Sequence, residues 1–268
     1  MIDSLPLLLG LGASLAALIM LCLWLLGLKR RNFSYVDLGW AANFAVLGLF
    51  YGLFAPGDPV RRILIATLYV VHGSRLALHL AGRIVGQPEE GRYVQLRQEW
   101  GAKGALDLKF LVFFQFQALL NVFLTLPLLI ASFNSAPAPL PLEIAGATLW
   151  LLALLGESTA DAQLKSFIRN PANKGEVCDV GLWRYSRHPN YFCEWLIWIG
   201  YALFALASPY GWIALLMPAL MLHLLLNVTG VKPTEEQSLR SKGDKYRDYQ
   251  ARTSRFVPMP PRKTGGST

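Results

Sequence analysis

The chain of 268 residues is 54% hydrophobic and only 16% charged, against roughly 45–50% apolar and 25% charged in an average soluble domain. Those proportions exclude an ordinary soluble globular protein. The formal charge of +8 follows from a membrane topology, without nucleic acid as a partner.

A bilayer core about 30 Å thick needs roughly 20 mostly apolar residues per helix. Seven such runs occur, near 5–28, 35–54, 62–82, 108–132, 140–163, 191–207 and 210–228. The first is read as a helix rather than a secretory signal, because Asp3 and no positive charge precede it and Lys29, Arg30 and Arg31 follow it. Lys and Arg concentrate in short cytoplasmic loops. With the end of the first run inside, the inner segments hold 22 of the 25 basic residues and the outer segments hold Arg61 and Arg62, with Arg75 inside the third run. The expectation is an all-α integral membrane protein of seven transmembrane helices, multi-pass in a bacterial inner membrane or its equivalent. Its amino terminus is expected outside, its carboxyl terminus in the cytoplasm, and cytosolic loops form a cofactor site.

Ionisable residues within membrane spans are costly and mark functional candidates. In the second run, "FSYVDLGWAANF" sets Asp37 beside Tyr35 and Trp40, as a helix-start carboxylate or as a buried acid that holds a partner. In the third, "YVVHGSRLALHLAGR" puts His72, Arg75 and His79 at spacings of three and four, on one helical face. Arg75 keeps its charge and must meet a carboxylate, a phosphate or water; an ion pair with Asp37 is one option. A His oriented by a carboxylate can donate to a developing oxyanion, which Asp37 and His72 would satisfy.

The fifth run ends "LLGESTADAQLKSFIRNPANKGE", with Glu157, Asp161 and Lys165 four apart on one stripe. The segment "GLWRYSRHPNYFCEWLIWIGYAL" then packs Arg184, Tyr185, Arg187 and His188 against the mouth of the sixth run. Pro189 suits a first helical turn, after which Asn190, Glu194, Trp198 and Tyr201 line one face. This reads as the phosphate end of a cofactor site whose deeper part takes a flat, polar ring. In the tail, 235–251 carries helix formers with Tyr246 and Tyr249 on one face, and the residues after Pro258 are expected to be loose.

Neither G-x-G-x-x-G, a P-loop nor H-E-x-x-H is present, so a soluble dinucleotide fold is not expected. Cys22, Cys178 and Cys193 are scattered, and no metal site or disulfide is expected. The chain is read as a single domain, 1–268, with substrate-side helices in 1–107, cofactor-binding helices and tail in 108–258, and a disordered end at 259–268. It is expected to act as a monomer, with membrane lipid around it.

"GLWRYSRHPNYFCEWLIWIGYAL" resembles the carboxyl-terminal domain of the steroid 5α-reductase family, in particular its bacterial members. The shared skeleton N-[FY]-x-x-E-x-x-x-W-x-G-Y is met by Asn190, Tyr191, Glu194, Trp198, Gly200 and Tyr201. The likeness extends to "VDLGW", "EEGRYVQLRQEWG", "DAQLKSFIRNPANKGE" and "YQARTSRFVP". It implies a seven-helix enzyme that binds NADPH from the cytosolic side and reduces a carbon–carbon double bond conjugated to a ketone, such as a 3-oxo-Δ4 steroid or a similar enone lipid. Carried over by position, the catalytic pair falls on Asp37 and His72, both different in type from the animal pattern. Tyr35, Trp40 and Arg75, singled out from the residues above rather than by the resemblance, are the candidates for substrate contact. Cofactor contacts fall on Arg92, Tyr93, Asp161, Lys165, Arg169, Tyr185, Asn190 and Glu194. Arg184, Arg187, His188 and Trp198, read from the residues themselves, and Tyr246, where the tail match is looser, complete the cofactor set. An alternative is an S-adenosylmethionine-dependent methyltransferase of the isoprenylcysteine carboxyl methyltransferase type, which also carries R-H-P-x-Y followed by a Glu. A lipid-binding or assembly protein is a third reading.

Overall fold

The computed structural model describes residues 1–101 and 105–262. Among them every regular element is helical: α1 (Leu5–Arg30), α2 (Tyr35–Phe54), α3 (Pro59–Ile84), α4 (Gly91–Gly101), α5 (Leu106–Leu124), α6 (Leu126–Ser132), α7 (Pro141–Arg169), α8 (Pro189–Leu206), α9 (Leu216–His223), α10 (Val231–Lys242) and α11 (Asp244–Arg252). Short 3-10 turns and a π-helical stretch, Leu224–Val228, join some of them.

Among the described residues, six helical stretches are long and apolar enough to cross a membrane: Leu5–Arg30, Tyr35–Phe54, Pro59–Ile84, Leu106–Ser132, Pro141–Arg169 and Gly211–Lys242. The chain is therefore an integral membrane protein by its helices. The run expected at 191–207 does form α8, which begins at Pro189, but α8 is not one of the six. Its 18 residues include Asn190, Glu194, Trp195 and Trp198, which lower its apolar content.

The chain divides into two compact units, residues 1–143 with 204–211, and residues 144–203 with 212–268. In the first unit α2 packs along α3. Apolar burial between helices is weak inside lipid, so close backbone approach supplies the contact. A Cβ on Gly73 would lie 2.5 Å from the Ala45 nitrogen and 2.8 Å from the Ala41 oxygen, and one on Gly52 would lie 2.5 Å from the Ala66 Cβ. Asn43 and Asn121 cross-link α2 and α5 at 3.1 Å.

Arg61 and Arg62, expected as an outer-loop pair, belong to the first turn and a half of α3. Arg61 is fully buried against Glu143, and its Nη1 donates to the Asn134 and Ala136 carbonyls at 2.8 and 2.6 Å. A buried charge persists only with such partners.

In the second unit the tail is helical where helix formers were expected, but in two pieces. Gly243, at φ 53° and ψ −125°, takes a conformation open to glycine and costly for other residues, and it separates α10 from α11. Residues 259–262, within the segment expected to be loose, are tied down: Met259 N donates to the Tyr185 carbonyl at 2.9 Å and Arg262 N to that of Arg252 at 2.8 Å. The rest of that expectation, 263–268, lies outside the described residues.

Candidate functional site

In the first unit the loop after α1 is clamped to the segment around α4. Phe33 N donates to Glu89 Oε1 at 2.6 Å, Glu90 N to Ser34 Oγ at 2.9 Å and Asn32 Nδ2 to the Gln87 carbonyl at 3.1 Å. Arg97 pairs with Glu89 at 2.9 Å and lies over the Phe33 ring. This clamp delivers Tyr93 to the head of α2, where its hydroxyl donates to Asp37 Oδ1 at 2.6 Å. Tyr93 is fully buried. Burial and the negative charge of Asp37 raise its phenol well above the usual range, which keeps it a proton donor.

Asp37 sits in the first turn of α2, where a carboxylate also meets the positive end of the helix dipole. It is half-buried, and the partner it holds is Tyr93. Arg92 lies over the Tyr93 ring, 5.6 Å from its centroid. Of the remaining candidates in this unit, Tyr35 is buried, Trp40 is half-buried and meets Phe44 edge-on, and Arg75 is half-buried. His72 is fully buried and stacks on Phe44, centroids 6.3 Å apart. His79, four residues further along α3 than Arg75, is exposed.

In the second unit, α7 and α8 hold a polar file. Asn190, in the first turn of α8, donates from Nδ2 to Asp161 Oδ1 at 3.2 Å and accepts from the Tyr191 nitrogen at 3.0 Å. One turn on, Trp198 Nε1 donates to Glu194 Oε1 at 2.8 Å. Glu157 and Trp198 are buried, while Lys165 and Arg169 are exposed where α7 ends.

Arg187 and His188, expected at a cofactor phosphate, both meet an acid in this structure and also line a pocket. Arg187 Nε donates to Glu235 Oε1 at 2.7 Å, and its Nη1 reaches the Gln250 and Thr253 carbonyls at 3.0 and 2.7 Å. His188 Nε2 lies 3.3 Å from the same Glu235 oxygen. Burial holds the His188 imidazole below its ordinary pKa, against the opposing pull of Glu235. Glu235 was not singled out from the sequence; the pair Glu235–Glu236 on a tail helix was its one visible signal.

A pocket of about 260 Å³ opens beside this network, and His188, Asn190, Tyr191, Trp183 and Tyr246 are among the residues that line it. Tyr191 stacks on His188 at 5.5 Å and 7°, and Tyr246 meets Tyr249 at 5.8 Å. Burial, then the charge of Glu235, pushes the Tyr246 phenol up to about 12. Arg184 is not part of this wall. It lines a second pocket with Asp179, Arg252 and Arg262, while Tyr185 is exposed and lends its carbonyl to Met259.

The family model described as "Protein of unknown function (DUF1295)" matches residues 23–253. The chain belongs to the DUF1295 family. That match takes in α2 to α11, and with them the Asp37–Tyr93 contact, the polar file of α7 and α8 and the Glu235 network of this DUF1295 protein. No curated protein and no solved structure matches it.

Proposed function

We propose that this DUF1295 protein is an NADPH-dependent membrane reductase of a double bond conjugated to a ketone, on a 3-oxo-Δ4 steroid or a similar enone lipid. The observation that carries the reading is Asn190, a side chain at the first turn of a largely apolar helix, fixed through Asp161 on the wall of a pocket floored by aromatic rings. A side-chain amide beside flat rings suits a polar heterocycle such as nicotinamide. A volume of about 260 Å³ suits that end of the cofactor rather than a whole dinucleotide.

Asn190, Tyr191, Trp183 and Tyr246 would hold the ring end, with Asp161 orienting the Asn190 amide. Bound there, NADPH would supply a hydride. The protein's own task is to favour the negative charge that develops on the substrate oxygen. His72 is the donor assigned to it, and Asp37, which accepts from Tyr93, is the acid assigned with it. In this reading α8 is a seventh span, the amino terminus is outside, the loops that carry the cofactor residues are cytosolic, and the protein acts as a monomer.

Thermal unfolding of the detergent-purified protein with NADPH, NADH and S-adenosylmethionine, each titrated separately, tests the assignment. A ligand bound only by the folded state stabilises by RT ln(1 + [L]/Kd), about 2.7 kcal/mol at a hundredfold excess over Kd. A shift with NADPH alone, followed by its oxidation on adding an enone, is expected. A shift with S-adenosylmethionine alone would transfer the site to methyl transfer.

A further inference from the structure

We infer that the pocket bounded by Arg184, Arg252 and Arg262 is a binding site for a phosphomonoester dianion. The pocket, about 630 Å³, is lined also by Asp179, Val180, Thr253 and Pro261. Three arginines line one opening, and a single carboxylate, Asp179, lines it with them. Asp179 pairs with Arg252 Nη2 at 2.7 Å, while the Nε of the same guanidinium is buried with no acceptor. Among the described residues no carboxylate stands at ion-pair distance from Arg184 or Arg262. The wall therefore carries a net charge of two, the charge of an ionised phosphomonoester at neutral pH.

The cluster is built rather than incidental. The three arginines come from the 3-10 turn Gly181–Arg184, the end of α11 and the strap beyond it. Backbone hydrogen bonds hold those segments together: Arg187 N to the Ser254 carbonyl at 2.8 Å, Met259 N to Tyr185 at 2.9 Å and Arg262 N to Arg252 at 2.8 Å. Ser186 Oγ adds a bond to the Phe256 carbonyl at 2.7 Å. Like charges fixed around one cavity repel each other, and an anion that accepts from several guanidinium forks reverses that penalty. Arginine is suited to this role, since its planar donors match phosphate oxygens in pairs.

A phosphomonoester could arrive on a nucleotide, as a ribose phosphate, or on a lipid, as phosphatidate. The inference does not depend on the reductase reading, and its probes carry no nicotinamide. Isothermal titration calorimetry on the full chain in detergent would use adenosine 2′-monophosphate with adenosine as control, and dihexanoyl phosphatidic acid with dihexanoyl phosphatidylcholine as control. Either phosphomonoester should bind at least tenfold more tightly than its control. That margin should vanish in Arg184→Gln/Arg262→Gln, which leaves the Arg252–Asp179 pair in place, and return in part in Arg184→Lys/Arg262→Lys. The arm that binds names the source. Binding that persists unchanged in the double Gln variant, or no binding of either phosphomonoester to wild-type protein with an intact unfolding transition, would overturn the site.

Discussion

Arg187 and Glu235, 48 positions apart, meet at 2.7 Å and lock the carboxyl-terminal helices onto the segment that leads into α8. Each is nearly excluded from solvent, with side-chain exposures of 9% and 13%. Glu235 also accepts from Gln250 Nε2 at 3.2 Å, so one carboxylate gathers the loop before α8, α10 and α11. Removing one partner of such a pair leaves a buried charge alone, at about 3–5 kcal/mol. Glu235→Ala should therefore loosen the tail, seen as faster amide hydrogen exchange across 244–256. Unchanged protection there would show that the pair carries no structural weight.

His188 gives the same junction a pH dependence. Its pKa is lowered from 6.5 by burial, with the charges of Arg187 and Arg255 in the same direction and Glu235 opposed. A folded pKa below the unfolded one means that the unfolded chain binds the proton first. The contribution is complete above about pH 6.5 and is lost as the pH falls through the lowered folded value. The difference in melting temperature between wild type and His188→Asn should accordingly shrink between pH 7.5 and pH 5. A difference that grows on acidification would reverse the assignment.

The Asp37–Tyr93 hydrogen bond predicts a split between two variants. Tyr93→Phe strips Asp37 of a donor while keeping the ring that Arg92 covers, and an unsatisfied buried group costs about 1–3 kcal/mol. Asp37→Asn retains an acceptor oxygen and should cost less. Equal melting temperatures for the two variants would count against a bond of this importance.

Two glycines of one helix should respond in opposite ways. Gly73→Ala places a Cβ against the backbone of α2, and overpacking of that kind costs about 1–3 kcal/mol or more. Gly82, also in α3, has nothing within 4 Å of its would-be Cβ, so Gly82→Ala should be neutral or add up to about 1 kcal/mol from helix propensity. Thermal unfolding of both variants in the same detergent checks the pair.

The reductase reading makes a kinetic prediction. His72→Ala should cut turnover of an enone by at least a hundredfold, the scale of one transition-state donor, and leave NADPH affinity nearly unchanged. A large loss of cofactor binding would refute that division of roles.

The sequence by itself determined the membrane character, the helical class, most span boundaries and the start of α8 at Pro189, since apolar run length and helix-start chemistry are local properties of the chain. It also determined that Tyr246 and Tyr249 share a face and that Asn190 and Asp161 stand among the polar residues of the apolar runs. Tertiary structure decided which partners those residues take. No position near Arg187 and His188 in the chain supplies their acid; Glu235 reaches them only when the tail folds back. Arg61 looked like a loop charge until Glu143, 82 positions away, was brought against it. Tyr93 became the donor to Asp37 only through the clamp between Glu89, Glu90 and the loop after α1. Nor could spacing show that Arg184, Arg252 and Arg262 share one cavity, because charges distant along the chain are gathered by backbone hydrogen bonds that leave no periodic trace in sequence.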